Sequence, residues 1–169
     1  MSSNIQLVEN QRFRQKWIVL LILAFSIFIS VMSIRQFVYH IPFGNHPATN
    51  SQLAGFLAFF LLILVFLFST KLATRYTSEG IFYQMKWIHL KEKFIDWKDI
   101  KSVEVRTYKP IKEYGGWGLR LGIFGKGKAI NMSGNKGVQL ILNNGRKLLI
   151  GTQKPEEIKQ YLIGIGKLN

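Results

Sequence analysis

The chain contains no cysteine, only three histidines, and nine acidic residues against twenty-three lysines and arginines in 169 positions. Without cysteine there is neither a disulfide framework nor a thiolate metal site. Two of the histidines, His40 and His46, fall in one polar stretch, and a two-histidine set lacks the third ligand of a catalytic zinc site; no metal and no cofactor is expected. The shortage of acids thins the catalytic inventory as well. Asp96 and Asp99 are close in sequence, but Asp96 before Trp97 reads as a turn or capping residue, and no nucleophile elbow or second carboxylate cluster accompanies them. His89, in a run read as a strand, is expected at a surface or rim. An enzyme is not expected.

Charge is also missing from two long runs. Leu53 to Ser69, LAGFLAFFLLILVFLFS, holds no Asp, Glu, Lys or Arg, and Trp17 to Ile34 is equally bare. An 18-residue helix rises about 27 Å, close to the ~30 Å of bilayer hydrocarbon. The first run is longer than the core of a signal peptide and no small-x-small cleavage pattern follows Ser33, so it reads as a retained anchor. Arg14 and Lys16 suit snorkelling and Trp17 the interfacial level. Ser26, Ser30 and Ser33 share one helix face: either a contact face of the small-residue kind or an accident in a serine-tolerant span. Basic residues precede the first run and follow the second at Lys71 and Arg75, while only Arg35 lies between. The positive-inside rule then places both termini in the cytoplasm. The expected layout is a basic cytoplasmic tail over 1–16, spans over 17–34 and 53–70 joined by an extracytoplasmic loop over 35–52, and a cytoplasmic domain over 71–169.

Most of the net charge of +14 sits in that last segment, which favours anionic partners. Beside two spans the membrane itself is the nearer partner. The lysines are scattered and the aromatics lie mostly at strand positions, so a basic stacking groove for nucleic acid is not expected. Turn signals such as Ser78-Glu79-Gly80 punctuate short β-prone runs: Ile81 to Leu90, an alternating Ser102 to Tyr108, then Leu119 to Phe124 and Ala129 to Met132. Asn143-Asn144-Gly145 stands between Val138 to Leu142 and Arg146 to Ile150 as a hairpin turn. Pro155, Glu156 and Glu157 open a helix whose Ile158, Tyr161, Leu162 and Ile165 form one apolar stripe.

Strands closed by one amphipathic helix, with Thr77-Ser78-Glu79-Gly80-Ile81 and Trp97-Lys98-Asp99-Ile100 turning into a strand, resemble the pleckstrin-homology-like (PH-like) fold, in particular the bacterial PH-like domains found directly after membrane helices. Tyr114-Gly115-Gly116-Trp117-Gly118-Leu119-Arg120 is similar to a signature of small bacterial membrane proteins. The resemblance implies an α+β membrane protein: a two-helix transmembrane hairpin, then a seven-stranded bent sheet or partial barrel with its C-terminal helix plugging one end. It implies no enzymatic activity. The basic motif that phosphoinositide-binding members carry on their first hairpin is missing from the Thr77 to Gly80 turn.

Two stretches carry candidate contacts. In Tyr114, Gly115, Gly116, Trp117, Gly118 and Arg120 the glycines permit positive φ, the rings have polar handles and the guanidinium suits carboxylate or phosphate. This reads either as a binding loop or as a bulged corner of the sheet with Trp117 capping the core. Lys126, Lys128 and Lys136 lie in a glycine-rich basic region that suits anionic lipid headgroups or serves as solvated hairpin tips. Gly122 to Ala129 meets part of the phosphate-loop pattern, but Ala129 stands where Ser or Thr must hold magnesium, and no helix follows. The expected function is a membrane-anchored, non-enzymatic interaction module at the inner face of the cytoplasmic membrane. Its expected partner is another membrane protein or a second copy, with anionic lipid as the alternative.

Overall fold

The computed structural model describes residues 6–168 and divides them into two units, a helical pair over 15–69 and a β-rich domain built from the segments on either side. In the helical unit, α1 (Lys16–Phe37) and α2 (Asn50–Ser69) have 22 and 20 residues, long and apolar enough to cross a membrane. α2 starts three residues before the expected span. Thr49 and Gln52 form a reciprocal capping box there: the Thr49 N–H donates to Gln52 Oε1 at 2.8 Å and the Gln52 N–H to Thr49 Oγ1 at 3.3 Å, satisfying donors that a helix start leaves open. Ser26, Ser30 and Ser33 donate to the carbonyls of Ile22, Ser26 and Ile29 four residues back, each at 2.8 Å, so their hydroxyls are satisfied within the helix. Phe25 and Phe60 stack across the pair with centroids 6.1 Å apart.

The β-rich domain has two sheets. The first runs in the order β1-β2-β3-β4, with β1 (Leu7–Arg12), β2 (Lys71–Tyr76), β3 (Gly80–Met85) and β4 (Lys93–Asp96), all antiparallel. The second contains β5 (Ile100–Thr107), β6 (Gly118–Leu121), β7 (Lys128–Asn131), β8 (Lys136–Leu142) and β9 (Lys147–Thr152) in the order β5-β8-β9-β7-β6, with β7 and β9 parallel. A short helix α3 (Pro110–Tyr114) follows β5, and α4 (Pro155–Gly164) closes the chain. Among the described residues the segment after α2 thus holds eight strands rather than the seven implied by the resemblance, and β1 adds a ninth.

The larger correction concerns the N-terminus. Residues expected as a tail form β1, with Arg12 opposite Lys71 and Leu7 opposite Tyr76. Its inward face is polar, which is why hydrophobic alternation does not reveal it: Glu9 and Gln11 are buried, while Val8 and Asn10 on either side of Glu9 are exposed. Glu9 Oε2 accepts from Thr152 Oγ1 at 2.8 Å, Glu9 Oε1 from the Gln153 N–H at 2.6 Å, and Gln11 Nε2 donates to the Gly151 carbonyl at 2.6 Å. β1 therefore pairs with the first sheet through its backbone and with the end of β9 through its side chains. The helical pair is an insertion between β1 and β2.

The core brings together the apolar faces of both sheets and the expected stripe of α4. Leu72, Ile81 and Met85 from the first sheet meet Ile130, Val138, Leu140 and Ile150 from the second, with Ile158 and Leu162 of α4, and Tyr161 and Ile165 packed alongside. Each such burial is worth about 1.5–3 kcal/mol. The turn of Trp97–Asp99 forms as read, with Asp96 Oδ1 accepting the Lys98 N–H at 2.9 Å.

Candidate functional site

The glycine-rich corner begins where α3 ends. Gly115, at φ 69°, caps α3 and donates to the Ile111 carbonyl; Gly116 and Gly118 hold φ of 125° and 109°. Only glycine adopts these angles without cost. The Gly118 N–H donates to Asn131 Oδ1 and Asn131 Nδ2 to the Tyr108 hydroxyl, both at 2.8 Å, which ties the corner to β7. Tyr114 is buried against Tyr108, Ala129 and Leu149, its ring edge-on to Tyr108 with centroids 5.9 Å apart. Burial raises the Tyr108 phenol to about 12 and raises Tyr114 as well.

Arg106 binds this cluster from β5. Its Nη2 donates to Glu113 Oε2 at 2.9 Å and to the Tyr114 hydroxyl at 3.3 Å, and its Nε to Gln139 Oε1 at 3.2 Å. Burial pushes the Glu113 carboxyl up, but hydrogen bonds from Arg106 and the Lys109 backbone N–H, with the positive charges of Arg106 and Lys126, outweigh it and hold Glu113 below the usual carboxylate value.

The candidate residues therefore separate. Tyr114 belongs to the core, buried with Tyr108, Ala129 and Leu149. Trp117 is half-buried, its indole N–H donating to the Gly134 carbonyl at 2.8 Å, and exposed Arg120 folds back through Nε to the Trp117 carbonyl at 2.9 Å. Lys136, whose Nζ donates to Thr107 Oγ1 at 2.7 Å, stands level with Thr152, whereas Lys128 stands level with Leu148 at the other end of β9. Four strand positions are about 13 Å, so Lys126 and Lys128 do not converge with Lys136. Beside the corner lies a shallow depression of about 270 Å³ walled by Tyr108, Pro110, Ile111 and Trp117, with Lys109 and Lys112 on its flanks.

The bacterial PH domain family matches residues 6–162, from the start of β1 into α4 and including both apolar helices. The chain belongs to that family. PH domains are in general non-catalytic interaction modules, and the two-sheet, helix-closed architecture fits that fold. Among curated proteins no relative matches the chain. Among the described residues, no group of three or more His, Asp or Glu side chains gathers to hold a metal. For a PH domain the first hairpin is now β1 and β2, not the Thr77 to Gly80 turn between β2 and β3, and its connection is the helical pair itself.

Sequence reasoning missed the segment between β3 and β4. The run from Ile81 reads as one β-prone piece to Leu90, yet β3 ends at Met85 and residues 86–92 form a projecting tip. Trp87 is 64% exposed, Ile88 40% and Leu90 99%. The tip is ordered by hydrogen bonds. The Met85 carbonyl accepts from the Ile88 and His89 N–H groups at 3.1 and 2.8 Å, and the Met85 N–H donates to His89 Nδ1 at 3.2 Å. His89 is thus a buried brace rather than a rim residue, and burial, with Lys93 nearby, lowers its pKa. The available signal was a bulky run, Trp87-Ile88-His89-Leu90, flanked on both sides by lysines, Lys86 and Lys91.

Proposed function

We propose that this PH domain is a membrane-anchored, non-catalytic interaction module that engages a protein partner at the depression beside Trp117. In this reading α1 and α2 cross the cytoplasmic membrane, and both termini and the β-rich domain lie on the cytoplasmic side. The basic residues before α1 and after α2 support that orientation. Three residues separate β1 from α1 and one separates α2 from β2, so anchoring holds the domain at high effective concentration beside other membrane proteins.

The observation that carries the partner assignment is the exposed apolar wall on a braced backbone. Ile111 is 59% exposed next to half-buried Trp117, and a rigid corner loses little entropy on binding. Flanking Lys109 and Lys112 favour an acidic, apolar segment, whether from another membrane protein or from a second copy. Photo-crosslinking from position 111 in native membranes tests this. A discrete adduct is expected. Co-purification of that partner should fall about tenfold in Ile111→Asp, the loss of roughly 1.4 kcal/mol of binding. Unchanged co-purification would remove the site.

Anionic-lipid binding through Lys126, Lys128 and Lys136 has less support, since these lysines are spread along the second sheet. A lipid contact finds better support on the first sheet.

A further inference from the structure

We infer that the 86–92 tip is a membrane wedge. Trp87, Ile88 and Leu90 enter the headgroup–acyl boundary of the bilayer that holds the helical pair, while the neighbouring lysines contact anionic headgroups. The inference rests on the reading of α1 and α2 as membrane spans.

Position within the β-rich domain comes first. Arg12 pairs with Lys71, Leu72 pairs with Met85, and the Lys86 N–H donates to the Lys71 carbonyl at 2.9 Å. The tip therefore projects from the end of the first sheet at which the chain leaves for α1 and returns from α2. One residue, Thr70, separates the end of α2 at Ser69 from the start of β2 at Lys71, so this is the end of the sheet at which the chain connects to the helical pair. The Thr77 to Gly80 turn lies at the opposite end.

Chemistry comes second. Solvent-facing Leu90 and Trp87 form an apolar point of the kind that marks an interaction site when rimmed by polar groups. The rim is cationic: Lys86, Lys91 and Lys93 surround it, with Arg12 and Lys71 on the adjacent strand ends, and Glu92 is already paired to Arg75 at 2.9 Å. Lys86 Nζ lies 5.4 Å from the Trp87 ring centroid. A tryptophan at the interfacial level beside lysines that reach headgroups is a favoured arrangement.

Conformation comes third. Trp87 holds φ 74°, a left-handed geometry that is costly for a bulky residue and found mainly where surroundings impose it. The double acceptance by the Met85 carbonyl and the His89 brace impose it here. The side chains are presented outward before any contact is made, so little ordering is lost on insertion.

Because the chain has no cysteine, single-cysteine labelling of the full protein in phosphatidylcholine vesicles, with or without phosphatidylglycerol, tests the wedge. An environment-sensitive dye is placed at Leu90→Cys, at Glu79→Cys on the far turn, and at Ile27→Cys within α1, with quencher lipids labelled near the glycerol end or deep in the acyl chains. The wedge predicts a blue-shifted dye at 90 quenched by shallow lipid, an unquenched dye at 79 and a deeply quenched dye at 27. It also predicts that each of Lys91→Gln and Lys93→Gln lowers the inserted-to-free ratio at 90 about fivefold when phosphatidylglycerol is present. A quenched dye at 27 with an exposed, unquenched dye at 90 overturns the wedge and leaves the anchor intact. A blue-shifted but unquenched dye at 90 overturns it in favour of a protein contact, including one with a second copy. An unquenched dye at 27 overturns the membrane reading, and the wedge with it.

Discussion

Two tryptophans in this domain sit in or beside backbone that ordinary residues avoid, and they are used in opposite ways. Trp117 lies among glycines that absorb the positive φ, and its indole N–H is turned in to the Gly134 carbonyl. Trp87 takes the positive φ itself and points outward. Glycine richness made the first corner the conspicuous one, yet much of its chemistry is spent on holding the second sheet together: Tyr114 in the core, Asn131 on the Gly118 N–H, Arg106 on Glu113. The β3–β4 tip has no glycine to draw attention, and it leaves its apolar atoms unburied. An unusual backbone therefore marks a constraint. Whether the constraint serves packing or contact depends on where the side chain goes.

The contrast can be broken most directly at the corner. Tyr114→Ala should destabilise the β-rich domain by about 3–5 kcal/mol, as for other large aromatic truncations in cores, read as a fall in the thermal midpoint of the purified full chain. A change within about 0.5 kcal/mol, the range of exposed positions, would mean that the corner is a surface loop after all.

At the tip the same kind of experiment should run the other way. Trp87→Gly removes the left-handed strain and should raise stability by up to about 1 kcal/mol, while reducing lipid quenching of a dye at position 90. A loss of stability would show that Trp87 is held for packing and would erase the difference between the two loops.

The smallest effect sharpens the role of β1. Burial raises the Glu9 carboxyl above its usual value, against opposing hydrogen bonds from the Gln153 N–H and Thr152. The sign follows from a folded-state pKa above the unfolded one. Its contribution is fully present below the unfolded carboxylate value and is lost as pH rises through the raised folded value. The stability of the protein relative to Glu9→Gln should therefore decline as pH rises through and above the ordinary carboxylate range, measured by denaturant unfolding at a series of pH values. A difference that grows with pH would place Glu9 in an environment that favours its charge.

How much of this was legible in the sequence varies with the kind of signal. The two apolar runs, the Asn143 to Gly145 turn, the Asp96 cap and the α4 stripe are local patterns, and each appears within a few residues of its expected bounds. β1 was not legible because its buried residues are Glu9 and Gln11, polar side chains whose partners are more than a hundred positions away. The tip was not legible because Trp87 to Leu90 have the composition of a strand, and only the capping by Met85 and His89 stops β3 short. The burial of Tyr114 was not legible because nothing in the YGGWG run distinguishes a ring packed against Leu149 from one facing solvent.

Composition and short-range periodicity by themselves determined the apolar pair, the basic surface, the lack of thiol chemistry and the strands-then-helix order, because each depends on neighbours along the chain. Tertiary structure alone decided that the N-terminal segment is a strand, that the helices interrupt the first sheet, that Lys128 and Lys136 stand at opposite ends of β9 in the second sheet, and which tryptophan faces outward. Those outcomes depend on hydrogen bonds and burial between residues far apart in sequence, and no local pattern carries them.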